Sequence, residues 1–82
     1  MKAKYRDRTE IIASVLEATK GGGASKTKIM FTAYLSYEQL KEYLKEILDK
    51  ELLAYDFHTR TYNITPKGIK FLQLYTELEK VE

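Results

Sequence analysis

Apolar positions along the chain recur first at helical spacing and then at a period of two. Ile11, Ile12, Val15 and Leu16 follow Asp7-Arg8-Thr9-Glu10, which has the N-cap to N3 spacing of a capping box. This predicts a helix from about Asp7 to Lys20, stopped by Gly21-Gly22-Gly23, residues that tolerate the left-handed backbone of a helix end. Ser25 is placed to cap a short second helix, Lys26 to about Tyr34, burying Ile29, Met30 and Ala33. Leu35-Ser36 is a turn. Ser36-Tyr37-Glu38-Gln39 makes a second capping box, and Leu40, Leu44, Ile47 and Leu48 share one face of a third helix.

Beyond that helix the period changes. Leu53, Tyr55 and Phe57 alternate with Leu52, Ala54 and Asp56, and Tyr62 and Ile64 alternate with Asn63 and Thr65. This is a hairpin with His58-Thr59-Arg60 at its tip, and the alternation assigns Tyr55 and Tyr62 to the core. Thr65 as N-cap and Pro66 at the first helical position open a last helix that runs to near Glu82. Its apolar residues, Ile69, Phe71, Leu72, Leu74, Tyr75, Leu78 and Val81, are too many for one stripe, so two faces are expected to be covered. Helix, helix, turn, helix, hairpin, helix is the order of a winged helix-turn-helix, mainly α with a small β-hairpin. We expect one domain. Residues 1–65 form its core, with the wing near 52–65, and residues 66–82 form a C-terminal helix that is part core and part dimer interface.

Composition narrows the chemistry. Eighty-two residues allow one small core, and oligomerisation is a common supplement at that size. The absence of cysteine removes disulfides and thiolate metal sites. The single histidine, His58, has no partner at a recognisable spacing for catalysis or metal binding, so neither an enzyme nor a cofactor is expected. No run of 18 apolar residues and no signal-peptide core is present, so a soluble, cytoplasmic protein without membrane contact is expected. Gly21-Gly22-Gly23 lacks the Gly-Lys-Ser/Thr ending of a phosphate loop.

Several segments together resemble a known family: Lys26-Thr27-Lys28-Ile29-Met30, Tyr34-Leu35-Ser36-Tyr37-Glu38-Gln39-Leu40, Leu52-Leu53, and Tyr62-Asn63-Ile64-Thr65-Pro66-Lys67-Gly68. They are similar to small archaeal winged-helix proteins, a group that includes the dimeric chromosomal DNA-binding proteins of crenarchaea. The resemblance runs from about Arg6 to Leu78. It implies a third helix presented to the major groove, a hairpin wing, and a C-terminal helix that pairs with a second subunit as an antiparallel coiled coil. Glu51 stands where such proteins usually carry glycine after the third helix.

The net charge of +2 is mild, but its distribution is uneven. Residues 1–35 hold seven basic and three acidic side chains, whereas the rest of the chain nets −2. Arg6, Arg8, Lys26, Thr27 and Lys28 are therefore candidate phosphate contacts. Ser36, Tyr37, Gln39, Lys41 and Lys45 are candidates on the third helix, and Arg60 at the wing tip is a candidate for a minor groove or a phosphate. Plain helix capping is the rival reading for Ser36 and Gln39. The outer line Glu38, Glu42, Lys45, Asp49 is largely acidic and speaks against deep insertion of that helix into a groove. Tyr34 and Tyr37 are the tyrosines best placed for stacking. Ile69, Leu72, Leu74, Tyr75, Leu78 and Val81 are the candidate dimer interface. The expectation is a non-catalytic homodimer that binds double-stranded DNA, as a transcription regulator or as a nucleoid-associated chromosomal protein. The alternative is a protein-interaction module, since a fold does not fix a function.

Overall fold

Side-chain caps decide where each helix begins. An Asp7 carboxylate oxygen accepts the Glu10 N–H at 2.8 Å, Ser25 Oγ accepts that of Lys28 at 3.1 Å, and Thr65 Oγ1 accepts that of Gly68 at 3.0 Å. At Ser36 the capping box closes both ways, through Gln39 N–H to Ser36 Oγ at 3.1 Å and Ser36 N–H to Gln39 Oε1 at 3.0 Å. At Asp7 only the forward arm forms among the described residues. The elements of this computed structural model, which describes residues 7–81, are α1 (Arg8–Thr19), α2 (Lys26–Ala33), α3 (Tyr37–Asp49), β1 (Leu53–Asp56), β2 (Thr61–Ile64) and α4 (Pro66–Val81). Helices α1, α2 and α4 match their predicted spans to within one residue at each end.

Helices α2 and α3 stop in the same way. Beyond α2, Tyr34 takes left-handed backbone at φ 57°, Tyr34 N–H donates to the Phe31 carbonyl at 3.4 Å, and Leu35 N–H donates to that of Met30 at 3.0 Å. Beyond α3, Glu51 takes φ 61°, Glu51 N–H donates to Leu48 at 2.9 Å, and Leu52 N–H donates to Ile47 at 3.0 Å. These are paired Schellman motifs, and the leucine that follows each left-handed residue is buried. The chain therefore turns inward at the end of each helix, and Leu35 and Leu52 enter the core.

The core gathers Val15 and Leu16 of α1, Ile29 of α2, Leu40 and Ile47 of α3, Leu52 and Leu53, Tyr62 of β2 and Leu72 of α4. Strands β1 and β2 pair antiparallel with Leu53 opposite Ile64 and Tyr55 opposite Tyr62. Ala24 adds a single rung on the far side of β2, exchanging both backbone hydrogen bonds with Tyr62 at 3.0 and 2.8 Å. The glycine run reads in sequence only as a helix stop. Gly23, at φ 91°, delivers Ala24 to the strand, and a Cβ there would sit 2.4 Å from Asn63 Oδ1. At the other end of the hairpin, Thr65 donates its hydroxyl to the Glu51 carbonyl at 2.7 Å, and its N–H reaches the Leu52 carbonyl at 3.1 Å. Gly68, in the first turn of α4, lies so close to that carbonyl that a Cβ would meet it at 2.3 Å. The ends of α3, β1 and α4 thus share one tight joint.

Candidate nucleic-acid interface

The first turn of α2 is an exposed basic surface. Lys26, Thr27 and Lys28 are all exposed there, and neither lysine enters an ion pair among the described residues. Ser25 satisfies one N–H of the turn, and the remaining first-turn amides together with the helix dipole favour an anion. Arg6 lies outside the described residues.

Helix α3 carries the other predicted contacts, and most already have partners. Ser36 and Gln39 form the capping box, so the Gln39 carbonyl oxygen that a bidentate adenine contact needs is held by the Ser36 N–H. Tyr37 is half exposed, with the Lys41 ammonium 5.1 Å from its ring centroid and 3.7 Å from Glu38. Lys45 is exposed beside Glu42, Glu46 and Asp49 in a shallow depression. Arg8, also among the predicted phosphate contacts, pairs its guanidinium with Glu46 and lies 5.1 Å from the centroid of the Tyr43 ring, which links the start of α1 to α3. Glu46 also accepts from Lys50 at 3.0 Å. That hydrogen bond, with Arg8 adding to it and partial desolvation opposing, holds the Glu46 carboxyl below its ordinary value of 4.5. No local sequence signal announces a pair 38 residues apart.

The hairpin tip is a four-residue turn, Phe57-His58-Thr59-Arg60. Asp56 organises it: its carboxylate accepts the N–H groups of His58 at 2.8 Å and Thr59 at 3.4 Å, and its carbonyl accepts that of Arg60 at 2.7 Å. Arg60 is exposed in left-handed backbone, and its side chain enters no ion pair among the described residues. Tyr62 is buried as expected, but Tyr55 is 38% exposed and Phe57 83% exposed. The alternating pattern overran the strand: β1 ends at Asp56, so Phe57 belongs to the turn. An aspartate opening a turn was the available signal.

Along α4 the predicted interface residues divide. Leu72 is buried in the chain's own core, and Tyr75 is half buried against it. Burial raises the Tyr75 phenol above its ordinary value, with Glu79, Glu10 and Asp7 adding to the shift. The face of α4 that carries Leu72 and Tyr75 meets α1. Ile69, Leu74 and Leu78 are exposed, whereas the Val81 side chain lies outside the described residues. Among the described residues no group of three potential ligands is placed to hold a metal, and no helix is long and apolar enough to cross a membrane.

A family model for the winged helix-turn-helix matches residues 5–82. The chain belongs to that family. In winged-helix terms the hairpin is the wing, and α2 and α3 are the helix-turn-helix pair. An uncharacterised protein of Methanocaldococcus jannaschii, MJ0290, is 34% identical over 73 residues; the match takes in 89% of this chain and 34% of that protein, so the chain spans about a third of its relative's length. The crystal structure of Sso10a-2, described as a DNA-binding protein from Sulfolobus solfataricus, superposes with a TM-score of 0.82 at 22% identity. That superposition covers 93% of this chain and 81% of the other. The shared architecture includes the helices, the hairpin and a C-terminal helix, as the order of elements predicted.

Proposed function

We propose that this winged helix binds double-stranded DNA without catalysis, as a homodimer joined through α4. The observation that carries the reading is the first turn of α2, where Lys26, Thr27 and Lys28 stand exposed around a helix N-terminus. Membership of the winged helix-turn-helix family and the likeness to a protein described as DNA-binding support it. In this reading Lys26 and Lys28 neutralise phosphates, Thr27 and the α2 amides hold register, and Arg60 reaches the flank. Tyr37, Lys41 and Lys45 approach from α3. The acidic outer line of α3 keeps that helix shallow, so affinity comes mainly from backbone contacts. Such a protein works in the cytoplasm on chromosomal DNA, as a transcription regulator or a nucleoid-associated coat.

Fluorescence anisotropy with a duplex of about 25 bp, titrated at several salt concentrations, tests this. Wild type should bind and weaken steeply with salt. Lys26→Glu with Lys28→Glu should lower affinity on every sequence and flatten the salt slope by about 2, because each lysine removed leaves one phosphate with its counterions. Equal affinity for unrelated duplexes favours coating, and a preferred sequence favours regulation. Absence of binding at low salt would favour the second reading, a protein-docking module, for which the acidic face of α3 speaks.

A further inference from the structure

Three aromatic rings run outward along the wing. Tyr62 is 8% exposed and rooted in the core, Tyr55 lies 4.7 Å from it centroid to centroid, and Phe57 meets Tyr55 edge-to-face at 5.1 Å. The last ring is 83% exposed, so the fold gains little from it, yet this ladder and the Asp56-centred turn hold it in place. The polar groups around it are mostly engaged. The Asp56 carboxylate is taken up by two turn amides, and the Thr59 and Thr61 hydroxyls are bonded to each other at 2.7 Å. Phe57 and the guanidinium of Arg60 remain for a partner, with His58 between them.

We infer that Phe57 is an apolar wedge that the wing inserts at a base step in the minor groove of duplex DNA, while Arg60 enters the same groove beside it. An apolar ring that unstacks a step and a cation drawn by the groove's negative potential are complementary halves of minor-groove recognition. The ladder gives the ring an aromatic neighbour before binding, which lowers the ordering entropy lost on insertion. The inference rests on the DNA-binding reading but adds a distinct claim, that binding kinks the duplex at the wing. Flexible pyrimidine–purine steps, TA above all, are the expected sites.

The test uses the full chain and a duplex of about 25 bp carrying 2-aminopurine beside a central TA step, with a donor and an acceptor dye at its ends. On binding, wild type should raise the 2-aminopurine fluorescence and shorten the end-to-end distance. Phe57→Ala should still bind, about fivefold or more weaker, as expected when a base-contacting aromatic is removed, and should lose both signals. Phe57→Leu should restore part of each. Wild-type binding without either signal, or signals that survive in Phe57→Ala, would overturn the wedge and leave the DNA reading standing. Failure of wild type to bind duplex at low salt would overturn both. Tighter binding to the single strand than to the duplex, abolished in Phe57→Ala, would replace the wedge with a stacking platform. Circular dichroism of Phe57→Ala should match wild type, because the removed ring is outside the core.

Discussion

Tyr34, Glu51 and Arg60 hold left-handed backbone without being glycine. In that region the Cβ crowds the following carbonyl, at a cost of about 1–2 kcal/mol for an ordinary residue. Two of the three end helices α2 and α3 in the same motif, and the third closes the wing. Glu51 is the clearest site for relief. Its side chain is exposed, and its ion pair with Lys67, at 3.9 Å between two solvated groups, contributes little. Glu51→Gly should therefore stabilise the protein by about 1 kcal/mol, raising the melting temperature by about 5 °C in thermal denaturation followed by circular dichroism. A lower melting temperature would mean that the added freedom of glycine in the unfolded chain outweighs the strain. Glu51 was legible in the sequence because the resemblance expects a glycine there. Tyr34 and Arg60 were not, since neither is a residue type that marks a left-handed position. Their geometry follows from tertiary demands: Leu35 must turn inward, and the four-residue tip must close.

Local signals placed the elements well. The apolar spacing, the capping residues and Pro66 located all four helices and the hairpin, because each of those determinants acts within about four residues of its target. What they missed is contact between distant elements. The Arg8–Glu46 pair, the Ala24 rung on β2 and the burial of Leu72 each join segments far apart in sequence, and none leaves a periodic trace. The clamp between α1 and α3 has a pH signature. The folded state holds Glu46 below 4.5 whereas the unfolded chain does not, so the unfolded state binds more protons as the pH falls past 4.5. The stabilisation is fully present above that value and is lost as pH drops through the lowered one. Glu46→Gln should melt below wild type at pH 7, with the gap narrowing on acidification below pH 4.5. A gap constant across that range would show that the charge of Glu46 contributes nothing.

For the whole molecule, the outstanding question is which surface α4 leaves uncovered. Of the predicted interface residues, Ile69, Leu74 and Leu78 are exposed, whereas the core has claimed Leu72 and much of Tyr75. The proposed dimer uses those exposed positions. Sedimentation velocity at tens of micromolar should give twice the chain mass for wild type and a single mass for Leu74→Glu with Leu78→Glu, whose helical signal should persist. A wild-type monomer would remove the dimer and leave the DNA reading to rest on one copy. The exposed side of α4 was legible as an excess of apolar positions, but which residues it held was not, since that depends on how α4 is rotated against α1. The rotation is fixed by the joint at Gly68, where the helix backbone touches the carbonyl of Leu52 with no room for a methyl group. Helix and wing thus meet at that joint as one bracket. In the proposed dimer, two such brackets bolted together at α4 become the jaws of a caliper whose gauge is set in the protein. A duplex would have to match that gauge by its own bend and helical phase.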